Sequence, residues 1–447
     1  MKLKSSKFNC LSVCEDGTLR MYNSMTGINS LMIVGADIKD QVLSVLSGDL
    51  SSDIIPQYIS KQLVEHGYLI PSDRDENDCV KKRMAEIVLN ERYLHLIIMP
   101  TEQCNFRCKY CYETFEKGKM SKTTQDAVIK YVKKNILNYV GLVVSWFGGE
   151  PLMAIDVVEY LSENFIKICK SAKRTYTSGM TTNGYNLTPD VFARLYKLKI
   201  MNYQITLDGA KAQHDNQRAL ANGEGTFDKI INNLSQIKNM RALGTVFNIR
   251  TNFTKAIIDH IDDYLSFYSE TFGDDPRFDL YVQQAGDWGG TRVKKFSMEL
   301  ISSPYSFILE KLKMHNITFG RAAHFNELQC EMNVCYAARQ SSFVIGSDGT
   351  IYKCTVHFDM PENIVGLLNE NGLMELNENF NKWIVPFAEI EDKCKECPKC
   401  ASCLPVGCPY GFMKSKHSSC SPMWIGDFGA FLGRIRSENF FHLSKDD

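Results

Sequence analysis

The sequence predicts an α/β fold built on parallel strands, with a small N-terminal unit and a cysteine-rich C-terminal region. From about residue 93 to residue 284, six strand-like stretches alternate with helix-like stretches, which is typical of parallel strands joined by right-handed helical crossovers. Beyond residue 316 this alternation fades, and nine of the sixteen cysteines lie between Cys330 and Cys420. These observations separate three regions at residues 1–85, 90–315 and 316–447.

Length and composition limit the classes of function. A chain of 447 residues with 44% hydrophobic residues is long enough for two or three domains with a large core. A formal net charge of −1 gives no indication of nucleic-acid binding. Because the sequence contains neither a long apolar stretch nor an apolar signal core near its N-terminus, we expect a cytoplasmic protein that binds no membrane. In that reducing compartment, sixteen cysteines indicate metal or redox chemistry rather than disulfides.

The N-terminal region is predicted to be an α+β unit. Short strand patterns separated by turn residues come first, and two helical patterns follow them. The predicted strands are 8–14, 18–23 and 30–34, and the predicted helices are 37–46 and 55–66. The polar, charged stretch 73–83 is predicted to be a linker to the core.

The core is predicted to contain six strands with helices between them. The predicted strands are 93–99, 142–147, 176–181, 202–207, 246–251 and 278–283. The predicted helices are 122–137, 155–171, 189–197, 226–240 and 255–270. Periodicity alone fits a barrel and a doubly wound sheet equally well. In both folds the functional site lies at the carboxyl ends of the strands.

Three cysteines follow the first core strand with the spacing C-x3-C-x2-C, at Cys104, Cys108 and Cys111. Four-iron clusters normally take four cysteines, so three thiolates on one loop leave one iron open to another ligand. Zinc loops usually come as paired C-x2–4-C units, which this spacing fits poorly. With Tyr110 before the third cysteine, the stretch resembles the signature of the radical S-adenosylmethionine (SAM) family. That resemblance implies a partial (β/α)6 barrel of the TIM type, in which SAM chelates the open iron and Tyr110 belongs to the cofactor site.

Further cofactor-binding residues follow later strands. The Gly148–Gly149–Glu150 stretch exposes backbone groups after the second strand, and in the resembling family it holds the amine of SAM. Thr206 begins a Thr-Leu-Asp-Gly strand end, which the resemblance places beside the ribose and methionine part of SAM. Arg218 matches the arginine that pairs with the methionine carboxylate in related enzymes, and arginine suits that role through its bidentate fork. A bare glycine turn and a solvated loop arginine are the alternatives.

The C-terminal cysteines, together with a predicted hairpin at 342–345 and 350–353, resemble the SPASM extension, which carries two auxiliary [4Fe–4S] clusters. The resemblance assigns the first cluster to Cys330, Cys335, Cys354 and Cys408, and the second to Cys394, Cys397, Cys403 and Cys420. Cys400 is an extra thiol that leaves these assignments open. The run of cysteines from 394 to 403, at x2 intervals, also suits a zinc ribbon.

The resemblance implies a radical SAM oxidoreductase. An electron from a donor such as flavodoxin or ferredoxin splits SAM, and the 5′-deoxyadenosyl radical takes hydrogen from an unactivated C–H bond. The N-terminal unit resembles the winged-helix element with which many maturases of ribosomal peptides capture a leader peptide as an added strand. A packing or dimerisation cap is the alternative. We therefore expect a peptide substrate with a leader sequence and a thioether or carbon–carbon cross-link as the product.

Two other functions remain open. The first is an anaerobic sulfatase maturase, which converts cysteine or serine to formylglycine. Those enzymes place an aspartate after the third cysteine of the first auxiliary cluster, where this chain has Thr355. The second is a zinc-stabilised binding module, which metal content separates from an enzyme with three four-iron clusters.

Overall fold

The structure is a computed structural model, and it describes residues 2–49, 51–89, 92–285, 304–317, 334–384, 390–403, 408–415, 432 and 439–444. The chain forms two compact units. The first consists of Met1–Leu89, Ala323–Arg339 and Ile384–Asp447, and the second of Asn90–Ala322 and Gln340–Trp383. The division into three functional domains at 1–85, 90–315 and 316–447 stays a prediction.

The secondary structure alternates through most of the second unit. The strands are β1 Leu3–Ser5, β2 Asn9–Val13, β3 Leu19–Asn23, β4 Met32–Val34, β5 Leu69–Pro71, β6 Tyr93–Ile98, β7 Gly141–Trp146, β8 Thr175–Thr182, β9 Ile200–Thr206, β10 Val246–Phe253, β11 Phe278–Gln284, β12 Ser342–Ile345, β13 Thr350–Tyr352, β14 Ile364–Leu368, β15 Met374–Leu376 and β16 Phe441–Leu443. The helices are α1 Lys39–Ser47, α2 Gln57–Glu65, α3 Glu76–Leu89, α4 Lys122–Asn135, α5 Ile155–Ser171, α6 Pro189–Lys197, α7 Lys211–Gln217, α8 Phe227–Lys238, α9 Lys255–Ile258, α10 Ile261–Phe272, α11 Pro304–Met314, α12 Asn379–Trp383, α13 Asp392–Lys395, α14 Cys400–Cys403 and α15 Pro409–Ser415.

The second unit is organised around a ten-stranded sheet with the order β11-β10-β9-β8-β7-β6-β12-β13-β14-β15. Strands β6 to β11 are parallel, and each pairs with the next strand in the chain. A doubly wound sheet reverses its strand order at a switch point, whereas this order runs in one direction, as in a TIM-type barrel. The predicted α/β fold with a partial (β/α)6 barrel is therefore confirmed.

The helices of this unit form because their apolar residues recur at helical spacing. Helix α5 buries Val157, Val158, Leu161 and Phe165 on one face. Helix α4 begins after Ser121, whose side chain accepts a hydrogen bond from the Thr124 amide as an N-cap. The predicted helix 255–270 is two helices in the structure, α9 and α10.

The predicted hairpin is confirmed as β12 and β13, but its pairing with another strand of the sheet was not predicted. Strand β12 pairs in parallel with β6, so that Ser342 lies opposite His95 and Ile345 opposite Ile98. The turn after β12 also contacts the stretch that leads into the three cysteines, because Glu102 accepts hydrogen bonds from the Ser347 amide (3.3 Å) and hydroxyl (3.1 Å). The hairpin therefore supports the first core strand directly.

The first unit contains a four-stranded sheet with the order β16-β4-β3-β2 and a separate antiparallel pair, β1 and β5. The prediction of a linker at 73–83 was wrong, because α3 begins at Glu76. Asp75 accepts hydrogen bonds from the Asn77 amide (2.9 Å) and the Asp78 amide (3.1 Å) and so caps this helix. The apolar face of α3 is buried, and most of the charged residues that suggested a linker are exposed or half-buried, with Glu76 as the buried exception. Within the described ranges, no helix combines the length and apolarity that crossing a membrane requires.

Candidate active site

The three predicted cluster ligands lie on residues 104–111, which we call the cysteine loop, after the carboxyl end of β6. This loop runs beside residues 217–221, which begin at the last residue of α7 and include Arg218. Three backbone hydrogen bonds join them: Arg107 N to Ala219 O (2.9 Å), Lys109 N to Gln217 O (3.0 Å) and Ala221 N to Asn105 O (2.9 Å). The backbone therefore fixes the position of Arg218 relative to the cysteine loop.

The glycine pair after β7 allows the chain leading into the cysteine loop to approach closely. The Gly149 amide donates to Thr101 O (3.3 Å), and the Glu150 amide donates to Gln103 O (2.9 Å). A Cβ on Gly149 would lie 2.4 Å from Gln103 O, and Gly148 has a φ of +110°. The glycines are thus required for backbone packing. Their contact with SAM stays a prediction.

Glu150 is buried and linked to the neighbouring strand end. Its carboxylate accepts hydrogen bonds from the Leu152 amide (3.0 Å), the Thr182 hydroxyl (2.7 Å) and the Asn183 amide (2.7 Å). Burial raises the pKa of Glu150, and these donors oppose the increase. The Asn183 side chain in turn donates to Asn105 on the cysteine loop (2.8 Å). The geometry makes Glu150 a positioning residue, and its predicted contact with SAM remains untested.

Tyr110 lies at the centre of a buried polar network. Its hydroxyl donates to Asp208 and accepts from Arg218 Nη1 (2.7 Å) and Asn252 Nδ2 (3.2 Å). The Asn252 amide also donates to Asp208 (2.8 Å). Burial raises the pKa of Tyr110 well above its usual value, so the phenol keeps the proton that it donates. This network joins the cysteine loop to the ends of β9 and β10.

Sequence reasoning missed Asp208 and Asn252 as members of this site. Asp208 stands two residues after Thr206 in the strand-end motif, which was a usable signal. Asn252 lies within β10 but one residue beyond the predicted end of that strand, so the predicted boundary concealed it. Thr206 is the last residue of β9 and is buried.

Arg218 combines a buried positive charge with an unused donor. Its Nε is buried and has no hydrogen-bond partner among the described residues, and its guanidinium lies 5.6 Å from the centre of the Phe106 ring. Burial lowers the pKa of Arg218, but the electrostatic interactions with Cys108 and Asp208 and the hydrogen bond to Tyr110 raise it more, so the group stays cationic. A buried guanidinium with a free N–H suits a carboxylate ligand, which the methionine part of SAM provides.

The three cysteines have the chemistry that a metal site requires. Burial raises the pKa of Cys104 and that of Cys111 to about 12, so both are thiols at neutral pH unless a cation is present. Iron supplies that positive charge, and thiolates are the ligands of iron–sulfur clusters. Among the described residues, no group of three or more histidine, cysteine, aspartate or glutamate side chains is already arranged around a metal position. The ligand assignment therefore rests on spacing and residue chemistry.

Comparison with known families settles the type of domain. Residues 98–263 match the Radical SAM superfamily. The chain contains a radical SAM domain. The match begins at the end of β6 and includes the cysteine loop, the glycine pair, Thr206 and Arg218.

The similarity to individual proteins covers more of the chain than the family match does. The chain is 28% identical over 341 residues to a cysteine-type anaerobic sulfatase-maturating enzyme of Clostridium novyi, covering 69% of this chain and 87% of that enzyme. It also resembles the solved structure of native anSMEcpe with bound AdoMet, with a TM-score of 0.55 and 20% identity over 70% of this chain and 88% of that one. Streptococcus suis SuiB bound to the precursor peptide SuiA gives a TM-score of 0.51 and 15% identity over 93% of this chain and 98% of that one. The two structural likenesses concern the fold.

A replacement at Arg218 tests its predicted role in the radical SAM domain. Lysine keeps the charge but cannot form a bidentate fork, so we expect Arg218→Lys to weaken SAM binding about tenfold or more. Equilibrium binding of SAM to anaerobically reconstituted protein measures this. The matched control is Arg241→Lys, because Arg241 is exposed and we expect it to bind SAM as wild type does. Equal affinity in the two variants would show that Arg218 does not bind the carboxylate.

His214 supports Arg218 from within the radical SAM domain. Its Nδ1 accepts from the Asp208 amide (3.1 Å), so its Nε2 carries the proton and donates to Thr226 Oγ1 (3.0 Å). The Thr226 hydroxyl then donates to the Arg218 carbonyl (2.8 Å). This chain of hydrogen bonds requires a neutral imidazole. Burial and the charge of Arg218 lower the pKa of His214 well below 6.5.

The depressed pKa of His214 predicts a pH dependence of stability. Neutral His214 contributes fully to the free energy of unfolding above the pKa of histidine in the unfolded chain, near 6.5. As pH falls from there towards the lower pKa of His214 in the folded protein, this contribution is lost at about 1.4 kcal/mol per pH unit. We expect His214→Gln to remove this slope and to be less stable than wild type at neutral pH. Urea unfolding between about pH 7.5 and about pH 5.5 measures it. The control is His260→Gln, at an exposed histidine, which should keep the wild-type slope. An unchanged slope in His214→Gln would contradict the prediction.

The structure describes only part of the predicted auxiliary-cluster set. Cys330, Cys420 and the side chain of Cys403 lie outside the described residues. Cys354 belongs to the second unit, and Cys335, Cys394, Cys397 and Cys408 belong to the first. The assignment of eight ligands therefore stays a prediction.

Two of the described residues add detail to the C-terminal region. Asn363 Oδ1 accepts from the Cys354 backbone amide (2.8 Å), and Asn363 Nδ2 donates to the Cys354 backbone carbonyl (2.8 Å), so the Asn363 side chain fixes the backbone at this cysteine. Cys400 is buried in an apolar cluster that includes Phe8, Val80 and Met84. In that position Cys400 packs as a small hydrophobic residue.

Proposed function

We propose that this protein is a radical SAM maturase that forms a thioether or carbon–carbon cross-link in a ribosomally synthesised peptide. The observation that carries the proposal is an N-terminal sheet whose edge strand β4 pairs with a short strand from the far end of the chain, in a protein that also contains a radical SAM domain. Strand addition is a common way to bind an extended peptide. The likeness to SuiB, which was solved with its precursor peptide, spans nearly the whole chain and is compatible with the proposal.

The residues of the candidate active site have separate roles in the proposed reaction. Cys104, Cys108 and Cys111 hold the SAM-binding cluster, Arg218 binds the SAM carboxylate, and Tyr110 keeps the arginine in place through its hydroxyl. When bound, SAM and the cluster would supply a reductively generated radical able to remove hydrogen from an unactivated C–H bond, and the C-terminal cysteines would hold the auxiliary clusters that could accept the remaining electron. For each cross-link, the peptide loses one hydrogen atom, one electron and one proton. A donor such as flavodoxin or ferredoxin supplies the reducing electron.

The second candidate is an anaerobic sulfatase maturase. The likeness to the Clostridium novyi enzyme over 87% of its length favours it. The residue after Cys354 counts against it, because Thr355 has no carboxylate to act as the base. Asp359 is the nearest carboxylate after it in the sequence, but its side chain is exposed.

Product analysis separates the two functions. Reconstituted protein is incubated anaerobically with SAM, a reductant and either precursor peptides encoded near its gene or a sulfatase-type cysteine peptide, and the peptide masses are then measured. A cross-link removes two hydrogens and retains sulfur, whereas formylglycine formation from cysteine removes two hydrogens and exchanges sulfur for oxygen. We expect the first change on a precursor peptide. Conversion of the sulfatase-type peptide alone would overturn the proposal.

A further inference from the structure

The edge of the N-terminal sheet at β4 is occupied by the chain's own C-terminal strand. Strand β16 runs parallel to β4, with Phe441 opposite Met32 and Leu443 opposite Val34. The Phe441 amide donates to the Leu31 carbonyl (2.9 Å), and the Gly35 amide donates to the Leu443 carbonyl (2.8 Å). Backbone groups on the outer side of β4 that an added peptide strand would use are therefore already bonded.

The C-terminal strand is anchored by two apolar side chains with two residues between them. Leu443 is 2% exposed and belongs to the apolar cluster that contains Met32, Val34 and Ile59. Phe440 is 6% exposed and belongs to a second cluster with Tyr22 and Ile33. Phe441, between them, is 43% exposed. The segment therefore places the aromatic and leucine positions of an aromatic-x-x-leucine pattern in two separate apolar clusters of the first unit.

Helix α2 forms the other wall of this position. The Tyr58 hydroxyl donates to the Ser444 carbonyl, and the His66 ring, next to the end of α2, lies 5.2 Å from the Phe441 ring. Ile59 and Leu63 of α2 share the apolar cluster with Leu443. The strand thus lies in a groove between the β4 edge and α2, which we call the β4 groove. It combines backbone groups of a sheet edge with buried apolar side chains, as a peptide-binding groove requires.

The occupant is short. Strand β16 has three residues, of which only Leu443 is buried, and Phe440 just before the strand is the other buried anchor. A strand of this length exchanges with a competing peptide more readily than a long one, because little backbone pairing is lost when it leaves.

We propose that the β4 groove binds extended peptides with an aromatic-x-x-leucine pattern, and that the C-terminal strand is an intramolecular competitor for it. The part that concerns substrate peptides rests on the proposed function. A substrate peptide would have to displace the C-terminal strand, so the chain lowers its own affinity for peptide. The groove is then fully available only when the C-terminal strand has left it.

The chain supplies its own probe. A fluorescently labelled peptide with the sequence of residues 439–444, Asn-Phe-Phe-His-Leu-Ser, is titrated into the full-length protein and followed by anisotropy. In the Leu443→Asp variant the C-terminal strand cannot occupy the β4 groove, because a charged side chain replaces its buried leucine. The residues that line the groove are unchanged. Because a competitor reduces affinity by the fraction of open groove, we expect Leu443→Asp to bind the peptide at least about tenfold tighter than wild type. A peptide that carries aspartate in place of its leucine should not bind.

Further variants keep the test decisive. Phe440→Ala removes the other anchor and should also tighten binding, so the proposal stays testable if Leu443→Asp does not fold. Val13→Asp alters the opposite edge of the sheet at β2, where Val13 is exposed, and should leave peptide binding unchanged. Equal peptide affinity in wild type, Leu443→Asp and Phe440→Ala, or loss of binding in Val13→Asp, would overturn the proposal.

The same preparations distinguish this proposal from the proposed function. SAM cleavage is measured on each variant and should be as in wild type, because the substitutions lie in the first unit. Absence of cleavage in wild type would contradict the radical SAM function and leave the groove result standing. Normal cleavage with no difference in peptide affinity would overturn only the competition.

Discussion

Replacing Cys108 with alanine is expected to abolish reductive cleavage of SAM. Cys108 is the middle ligand of the predicted three and is 7% exposed, so neither another side chain nor solvent replaces it easily. Loss of a residue that only orients a metal ligand costs about 10–100-fold, and loss of a ligand itself should cost more. We expect 5′-deoxyadenosine formation to fall by more than about a hundredfold, with loss of the cluster absorbance and part of the iron.

A matched cysteine controls for the substitution itself. Cys169 lies in α5, is 1% exposed and is not a predicted ligand. Cys169→Ala removes the same sulfur from a buried position, so it should lose some stability but retain iron and SAM cleavage. If Cys108→Ala cleaved SAM at the rate of Cys169→Ala, the cysteine loop would not be the cluster site.

The second large effect is expected at Gly149. An added Cβ would lie 2.4 Å from the Gln103 carbonyl oxygen and 2.6 Å from that of Glu102. Both atoms belong to the backbone, so no side-chain rotation relieves the clash and the approach to Cys104 must move. We expect Gly149→Ala to lose most of its cluster and its SAM cleavage, with an overpacking cost of about 1–3 kcal/mol. Iron per chain, 5′-deoxyadenosine formation and thermal unfolding measure these effects.

Gly118→Ala is the control for this substitution. An added Cβ at Gly118 meets no atom within 4 Å, so the same chemical change has no steric consequence there. Gly118→Ala should reconstitute and cleave SAM as wild type does. Wild-type iron content in Gly149→Ala would show that the glycine pair is not needed for the cysteine loop.

The core strands could be predicted closely because buried parallel strands leave continuous apolar runs in the sequence. The predicted 246–251 and the observed Val246–Phe253 begin at the same residue, and the six predicted strands are all present. Helix α3 was missed because the charged residues on its exposed face resemble a linker when they are read without the buried face. The local pattern of apolar and polar residues indicates whether a stretch is a helix or a strand. It indicates which side chains are buried only when the spacing of the apolar residues is examined one by one.

Pairings between distant residues could not be predicted. Strand β12 pairs with β6, which precedes it by more than two hundred residues in the sequence, and β16 near the end of the sequence pairs with β4 near its beginning. Each strand is short, so neither has a sequence pattern long enough to identify the strand with which it pairs. The β4 groove and the support of the first core strand by the hairpin could therefore be recognised only from the structure.

The candidate active site could be predicted only where its residues are close in the sequence. Cys104, Cys108 and Cys111 have a fixed spacing on one loop, which a sequence shows directly. Asp208 and Asn252 act through contacts between different strand ends, which depend on the sheet order. Glu150 was predicted as a ligand of SAM, and the structure gives its carboxylate three donors from the protein. Spacing identified the ligands, and tertiary structure was needed to identify the residues that position them.

Cleavage of SAM by the unmodified protein tests directly whether the cysteine loop holds a SAM-binding cluster. The chain is purified and reconstituted without oxygen, given SAM with or without an electron donor, and assayed for 5′-deoxyadenosine and methionine. We expect both products in equal amounts, and only when the donor is present. Protein that binds iron at the cysteine loop but releases neither product under reducing conditions would contradict it.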